Sequence, residues 1–223
     1  MLIGKLSDAG GGGPVLVHAD EHLLVFDKPS GLLSVPGRGA DKQDCLAARA
    51  QRLYADALVV HRLDMATSGL FLMARGAAMQ RRLSDAFARR AVGKRYVAVV
   101  SGRMETPEGA DGWGLIDLPL AADWPNRPRR IVDREGGKPS QTRWRVLAHD
   151  DGSTRVELEP LTGRSHQLRV HLQSLGHAIL GDTLYAPPQA QAAAPRLLLH
   201  ATGLRMTHPV TGEALAFAST APF

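Results

Sequence analysis

A single cysteine, Cys45, among 223 residues leaves no internal disulfide and no cysteine-based zinc or iron–sulfur site to build. Long apolar runs are missing as well. None approaches the roughly 18 residues that a membrane helix needs, and the N-terminus lacks the charged start and apolar middle of a signal peptide. Aromatic residues make up only 5% of the chain, and the glycines at 10–13 are its one low-complexity tract. No GxxxxGKS or GxxxxGKT phosphate loop occurs, and Gly37-Arg38-Gly39 lacks the third glycine of a dinucleotide fingerprint. HExxH is absent, and His166 and His171 are five apart, out of phase for two ligands on one helical face. Gly163-Arg164-Ser165-His166-Gln167 misses the closing glycine of a nucleophile elbow. Metal, nucleotide-cofactor and serine-hydrolase chemistry all lose their support, so neither metal nor cofactor is expected.

What is present is a chain 44% apolar, with room for one large or two small domains and a net charge of +5. The charge is uneven. Arg75–Arg103 holds eight Lys/Arg against Asp85 alone, and Trp124–Arg145 holds seven against Asp133 and Glu135. Two such windows form the electrostatic footprint of a phosphate backbone, because neutralising phosphates releases counterions. Arg81, Arg82, Arg89 and Arg90 would equally form an ordinary solvated helix face. Trp124, Trp144 and Tyr185 are candidates to stack on unpaired bases, with a core role the alternative for each.

Residues 1–14 read as a flexible leader and 15–223 as one domain. Val15–His18 and Leu23–Asp27 are expected as strands joined by an acidic turn, followed by a proline- and glycine-rich loop. A helix is expected over Asp41–Tyr54 with Asp41 as N-cap, then strands at Leu58–Val60 and Leu70–Ala74 around a polar loop. Met79, Leu83, Ala86 and Phe87 follow helical spacing, with Gly93 placed as the C-terminal cap. Lys94–Ser101, Thr142–Ala148 and Thr154–Pro160 read as strands, and 102–140 as turns and short ladders. A helix from Ser165 to Gly176 would align Leu168, Leu172 and Leu175, and Leu204–Thr207 and Ala214–Ala218 close the chain as strands. Strands dominate without a strict βαβ rhythm, which favours α+β with a mixed sheet.

One ionisable cluster has no evident structural reason: His61-Arg62-Leu63-Asp64, then Thr67-Ser68-Gly69-Leu70. Asp64 is expected at the rim of the core, where a carboxylate needs a cation or several N–H donors to stay ionised. As a plain turn, Thr67-Ser68-Gly69 would use Asp64 as its capping acid. The cluster resembles the catalytic motif of the RluA-type family of pseudouridine synthases. Further segments follow in the order that family requires: Asp27-Lys28-Pro29-Ser30-Gly31-Leu32, Lys94-Arg95-Tyr96-Val97-Ala98 and Leu161 through His171. Gly176-His177 and Leu180-Gly181-Asp182 continue a resemblance that covers roughly residues 15–223. Asp27 stands where the family's first motif usually begins with asparagine. Ser34–Arg38, Asp64–Gly69 and Asp123–Pro128 are similar to the family's founding branch, which lacks the S4 RNA-binding domain.

The resemblance implies an α+β pseudouridine synthase fold with a mixed, largely antiparallel central sheet, flanking helices and loops, and an RNA-binding cleft across the sheet. It implies Asp64 as the essential carboxylate, attacking ribose C1′ or abstracting the C2′ proton. Arg169 becomes its ion-pair partner, Tyr96 the residue against the base and a candidate for the C5 proton, and Leu168 a wall of the base site. Arg62 is a candidate to fill the space that a flipped nucleotide vacates. His61, Lys28, Arg164, His166 and Gln167 are carried over as substrate contacts. The implied partners are ribosomal large-subunit RNA and tRNA stem-loops, met by a cytoplasmic monomer with no membrane or protein partner. Two other functions remain open on the residues alone. A non-catalytic RNA-binding or RNA-folding protein would explain the basic windows. A nucleoside or glycoside hydrolase would share chemistry at C1′ but wants a second acid, which these motifs do not supply.

Overall fold

The computed structural model describes residues 13–109 and 111–223, so nearly all of the expected leader lies outside the described residues. The first half runs β1 (Val15–Ala19), β2 (Leu23–Lys28), α1 (Leu46–Gln51), β3 (Ala57–Val59), β4 (Ser68–Arg75), α2 (Gly76–Ala88) and β5 (Gly93–Ser101). There follow β6 (Gly114–Asp117), β7 (Leu120–Ala122), β8 (Arg130–Val132), β9 (Gln141–Asp150) and β10 (Ser153–Pro160). The chain ends with α3 (Gln167–Ser174), α4 (Pro188–Ala192), β11 (Leu199–Thr207) and β12 (Ala214–Ala218). It divides into two compact units, Met1–Lys94 with His200–Pro222 and Arg95–Leu199 with Phe223.

In the first unit, Leu23–Phe26 and Phe71–Ala74 have no exposed surface. Continuous apolar runs of this kind, without alternation, mark strands buried on both faces. β2 pairs antiparallel with β1 and β4, so that Phe26 lies opposite both Leu16 and Phe71. β11 joins β4 in parallel through His200 and Ala201, and β12 pairs antiparallel with β11. That parallel junction within antiparallel pairings makes the sheet mixed, as expected. α2 lays Met79 and Leu83 onto Leu70, Leu72, Leu204 and Met206.

In this unit α1 and α2 depart from the sequence reading. α1 begins at Leu46, capped by Cys45, whose Sγ accepts from the Ala48 amide at 3.4 Å; Asp41 lies earlier, in a short 3-10 turn. α2 ends at Ala88, and Arg90, not Gly93, takes the left-handed position at φ 61°. The Ala91 amide then reaches back to Ala86 carbonyl at 2.8 Å, the wrap that closes a Schellman end. Gly93 instead opens β5.

The second unit pairs β5, β10, β9 and β6 antiparallel in that order, with β7–β8 as a separate hairpin. The alternation along β10 is regular, with Thr154, Val156, Leu158 and Pro160 buried and the residues between them half-buried. α3 is two residues shorter at its start than expected and buried nearly all round from Gln167 to Leu172. Leu175, expected on its buried face, is exposed. Val170 packs with Leu120 and Tyr185, which seats the β7–β8 hairpin against α3.

Candidate active site

In the first unit, Asp64 sits half-buried on the loop between β3 and β4. The edge of β4 that faces away from β2 is divided: β3 takes residues 73–75 and β11 takes 68 and 69. His61 fills the gap, with its Nε2 accepting the Leu72 amide at 2.9 Å in place of a ladder carbonyl. Its ring is stacked between Phe71 and Phe87, with centroids 4.6 and 4.7 Å away. Burial, with the Lys94 charge adding to it, pushes the imidazole down to about 3, so it is neutral and a pure acceptor on that nitrogen. His61 is therefore a structural seal where the loop departs from the sheet.

The loop backbone is then fastened residue by residue. Ser34, itself buried, donates to Leu63 carbonyl at 2.7 Å and accepts from the Leu63 amide at 3.1 Å. Ser30 donates to Ala66 carbonyl at 2.7 Å, and the Gly31 amide donates to Met65 carbonyl at 2.9 Å. The fully buried Lys28 ammonium donates to the carbonyls of Pro29, Leu32 and Met65 at 2.8–3.1 Å. Lys28 is thereby a brace of the loop. The brace is itself held, because the Leu46 and Ala47 amides that open α1 donate to Leu33 and Ser34 carbonyls.

The exit of the loop is fixed from β11. Gly69 has φ +107°, and a Cβ there would lie 2.4 Å from Ala201 carbonyl oxygen, so only glycine fits. Beside it, Ser68 Oγ lies 2.8 Å from His200 Nδ1, and His200 Nε2 lies 2.9 Å from Ser219 Oγ. Ser219 donates in turn to the Asp27 carboxylate. A hydroxyl has one hydrogen, so Ser219 must accept from His200 Nε2–H. Asp27, the departure in the first motif, anchors this chain of bonds. Arg62 and Met65 are exposed on the loop.

In the second unit, Tyr96 is buried in β5 opposite Leu158. Leu168 and Arg169 are buried in the first turn of α3. Arg169 donates from Nε and Nη2 to both oxygens of Asp182, at 2.7 and 2.6 Å, and Asp182 also accepts from the Leu184 and Tyr185 amides. This bidentate pair fixes the plane of the guanidinium. The motif around Asp182 does not disclose its role; the signal that it serves Arg169 is spatial.

Gln167 accepts from Thr162 Oγ1 and the Arg164 amide, and donates to Gln141 carbonyl and Thr142 Oγ1, which ties the third motif to β9. His166 stands before α3 at φ 57°, and its Nδ1 lies 2.6 Å from the Tyr185 hydroxyl. Tyr185 is buried, while Trp124 is 69% exposed. Arg164 is exposed.

The basic windows divide likewise. Arg81, Arg82, Arg89 and Arg90 are exposed. Arg143 and Arg145 are met by Glu159 and Glu157 and lie over Trp113, so part of the second window is neutralised locally. Among the described residues, no group of three or more His, Cys, Asp or Glu could hold a metal ion, and no helix is long and apolar enough to cross a membrane.

The α+β fold with its mixed sheet is that of the pseudouridine synthases, isomerases that rearrange uridine within RNA. The profile of the RNA pseudouridylate synthases matches residues 22–174, and the chain belongs to that family. It is 51% identical over 210 residues to the dual-specificity RNA pseudouridine synthase RluA of Escherichia coli (strain K12), covering 94% of each chain. The protein of that name from Yersinia pestis is 50% identical over 94% of this chain and 100% of its own. Among solved structures, human RNA Pseudouridylate Synthase Domain Containing 1 superposes with a TM-score of 0.76 at 27% identity, covering 100% of this chain and 87% of that one.

Proposed function

We propose that this pseudouridine synthase acts on uridines of large-subunit ribosomal RNA and of a tRNA anticodon stem-loop, working as a cytoplasmic monomer whose residues 15–223 serve as one catalytic domain. The reaction breaks the C–N glycosidic bond, turns the base and joins C5 to ribose C1′. No electrons are exchanged, and the only proton to be moved from the product carbon is that on C5.

In this reading Asp64 is the essential carboxylate, as nucleophile at C1′ or base at C2′. Arg169 supplies the positive charge that keeps it ionised, its plane set by Asp182. Tyr96 lies against the base and takes part in removing the C5 proton, and Leu168 excludes water beside it. Arg62 enters the space left when the uridine leaves its stack, a step that costs a few kcal/mol. Arg164 and His166 meet the RNA near the third motif.

The observation that carries this reading is the brace beneath Asp64. Residues 63, 65 and 66 are each held by the first motif or by Ser34. A backbone fixed in this way need not be rebuilt around the carboxylate during the reaction, which is where electrostatic catalysis gains most. Asp64→Asn should bind a uridine-containing stem-loop as wild type does and yield no pseudouridine by carbodiimide labelling. Appreciable product from the variant would remove Asp64 from its role. Mapping modified positions in cells that lack the protein assigns the target RNAs.

A further inference from the structure

The β7–β8 hairpin carries a feature that the reaction does not use. Its tip, residues 123–129, is held in one shape by its own bonds. The Asn126 side-chain amide donates to both oxygens of Asp123 at 3.0 Å, the Asp123 amide donates to Arg129 carbonyl, and the Arg129 amide to Asn126 carbonyl. The base of the tip is also tied down. The Arg130 amide donates to the Tyr185 hydroxyl at 2.8 Å, and that hydroxyl meets His166 of the third motif. Arg129 and Arg169 both lie over the Tyr185 ring, at 5.5 and 5.0 Å.

On this rigid tip Trp124 is 69% exposed, although the Arg127 guanidinium covers one face of its ring at 3.4 Å. An indole with one face covered can keep that much exposure only if the other face is open to solvent. Burying an indole is strongly favourable, so a tip that fixes it outward forgoes that gain. Its surroundings name the occupant. Arg127, Arg129 and Arg130 follow within six residues, a charge that suits a phosphate backbone, and an aromatic face backed by a guanidinium suits a nucleobase.

We propose that Trp124 is a stacking platform for an unpaired base of the substrate RNA, standing apart from the uridine that reacts. The proposal rests on RNA being the substrate, and it assigns Trp124 to binding, not to the chemical step. The hairpin's attachment to Tyr185 and α3 makes the platform part of the same unit as Arg169, so a base held there fixes the register of the strand relative to the third motif.

The test uses the full chain with two synthetic RNAs, a stem-loop with an unpaired uridine-containing loop and the same sequence fully duplexed. Trp124→Ala should raise KM and Kd for the stem-loop by about 5- to 150-fold, the range of one lost base–aromatic stack. Turnover at saturating RNA should stay within about twofold, because only uniform binding is lost. Trp124→Phe should recover most of the affinity, and it should abolish most of the quench of tryptophan fluorescence seen when wild type binds the stem-loop. Affinity for the duplex should not change. Wild-type affinity in Trp124→Ala, a Phe variant as weak as the Ala variant, an equal penalty on both RNAs, or an undiminished quench in Trp124→Phe would each overturn the proposal. Binding is read without turnover, so absence of product from wild type would count against the catalytic assignment alone.

Discussion

Acidification should expose the role of His61 as the seal of the divided β4 edge. The ordinary imidazole value of 6.5 applies in the unfolded chain, and burial lowers it to about 3 in the native one. Between these values the unfolded state binds more protons, so the contribution of this site to stability is whole above about pH 6.5 and drains away as the pH falls toward 3. Each pH unit in that window is worth up to about 1.4 kcal/mol. Lowering the pH from 7.5 to 5 crosses about one and a half such units. With a discount for the partial exposure of the ring, the loss is about 1–2 kcal/mol. His171, also lowered by burial, contributes in the same direction, so the assay must isolate one ring. His61→Gln does this. A glutamine can still accept the Leu72 amide, it does not titrate, and it forfeits the stacking on Phe71 and Phe87. Urea unfolding at pH 7.5 should find the variant less stable by about 1–2 kcal/mol. At pH 5 the two proteins should converge. Parallel pH dependences, or a His61 ring that titrates near 6.5 by NMR, would refute the account of a neutral acceptor.

Ser34→Ala leaves both polar groups of Leu63 unpaired in a buried place, which costs about 1–3 kcal/mol. It should lower kcat with little change in KM, and an unchanged kcat would show that the loop holds without it. Asp182→Asn keeps the shape around Arg169 but removes the counter-charge; a stability loss of about 2–4 kcal/mol is expected by denaturant titration, and a neutral result would mean the guanidinium is balanced elsewhere. Arg62→Ala should slow turnover on folded stem-loops more than on loosely structured RNA, and equal losses on both would refute its part in extruding the base.

Patterns confined to a few neighbouring residues were legible in the sequence. The buried runs of β2 and β4, the spacing of Met79 and Leu83, and the β9–β10 hairpin all declare themselves within a dozen positions. The motif containing Asp64 was legible as a resemblance and as an acid without a structural purpose. What holds that acid was not. Ser34 lies 29 residues from Leu63, and Lys28 looks like a solvated cation until its three carbonyls are seen. His61 reads as a site histidine because it adjoins Arg62 and Asp64, yet the strand gap it fills exists only in the folded sheet. The cap of α2 was misplaced because glycine is the usual left-handed residue, and here the chain puts an arginine there.

The fastening of Ser68 has a consequence for how the protein is made. The braces from Lys28, Ser30 and Ser34 lie within the first 67 residues and can close as soon as that stretch leaves the exit tunnel. His200 lies 132 residues beyond Ser68, and Ser219 lies 192 beyond Asp27. Domains are assembled in the order of their synthesis, and distant pairings are the slow ones. Until residues 200–219 have been made, the loop that carries Asp64 can be anchored at one end alone.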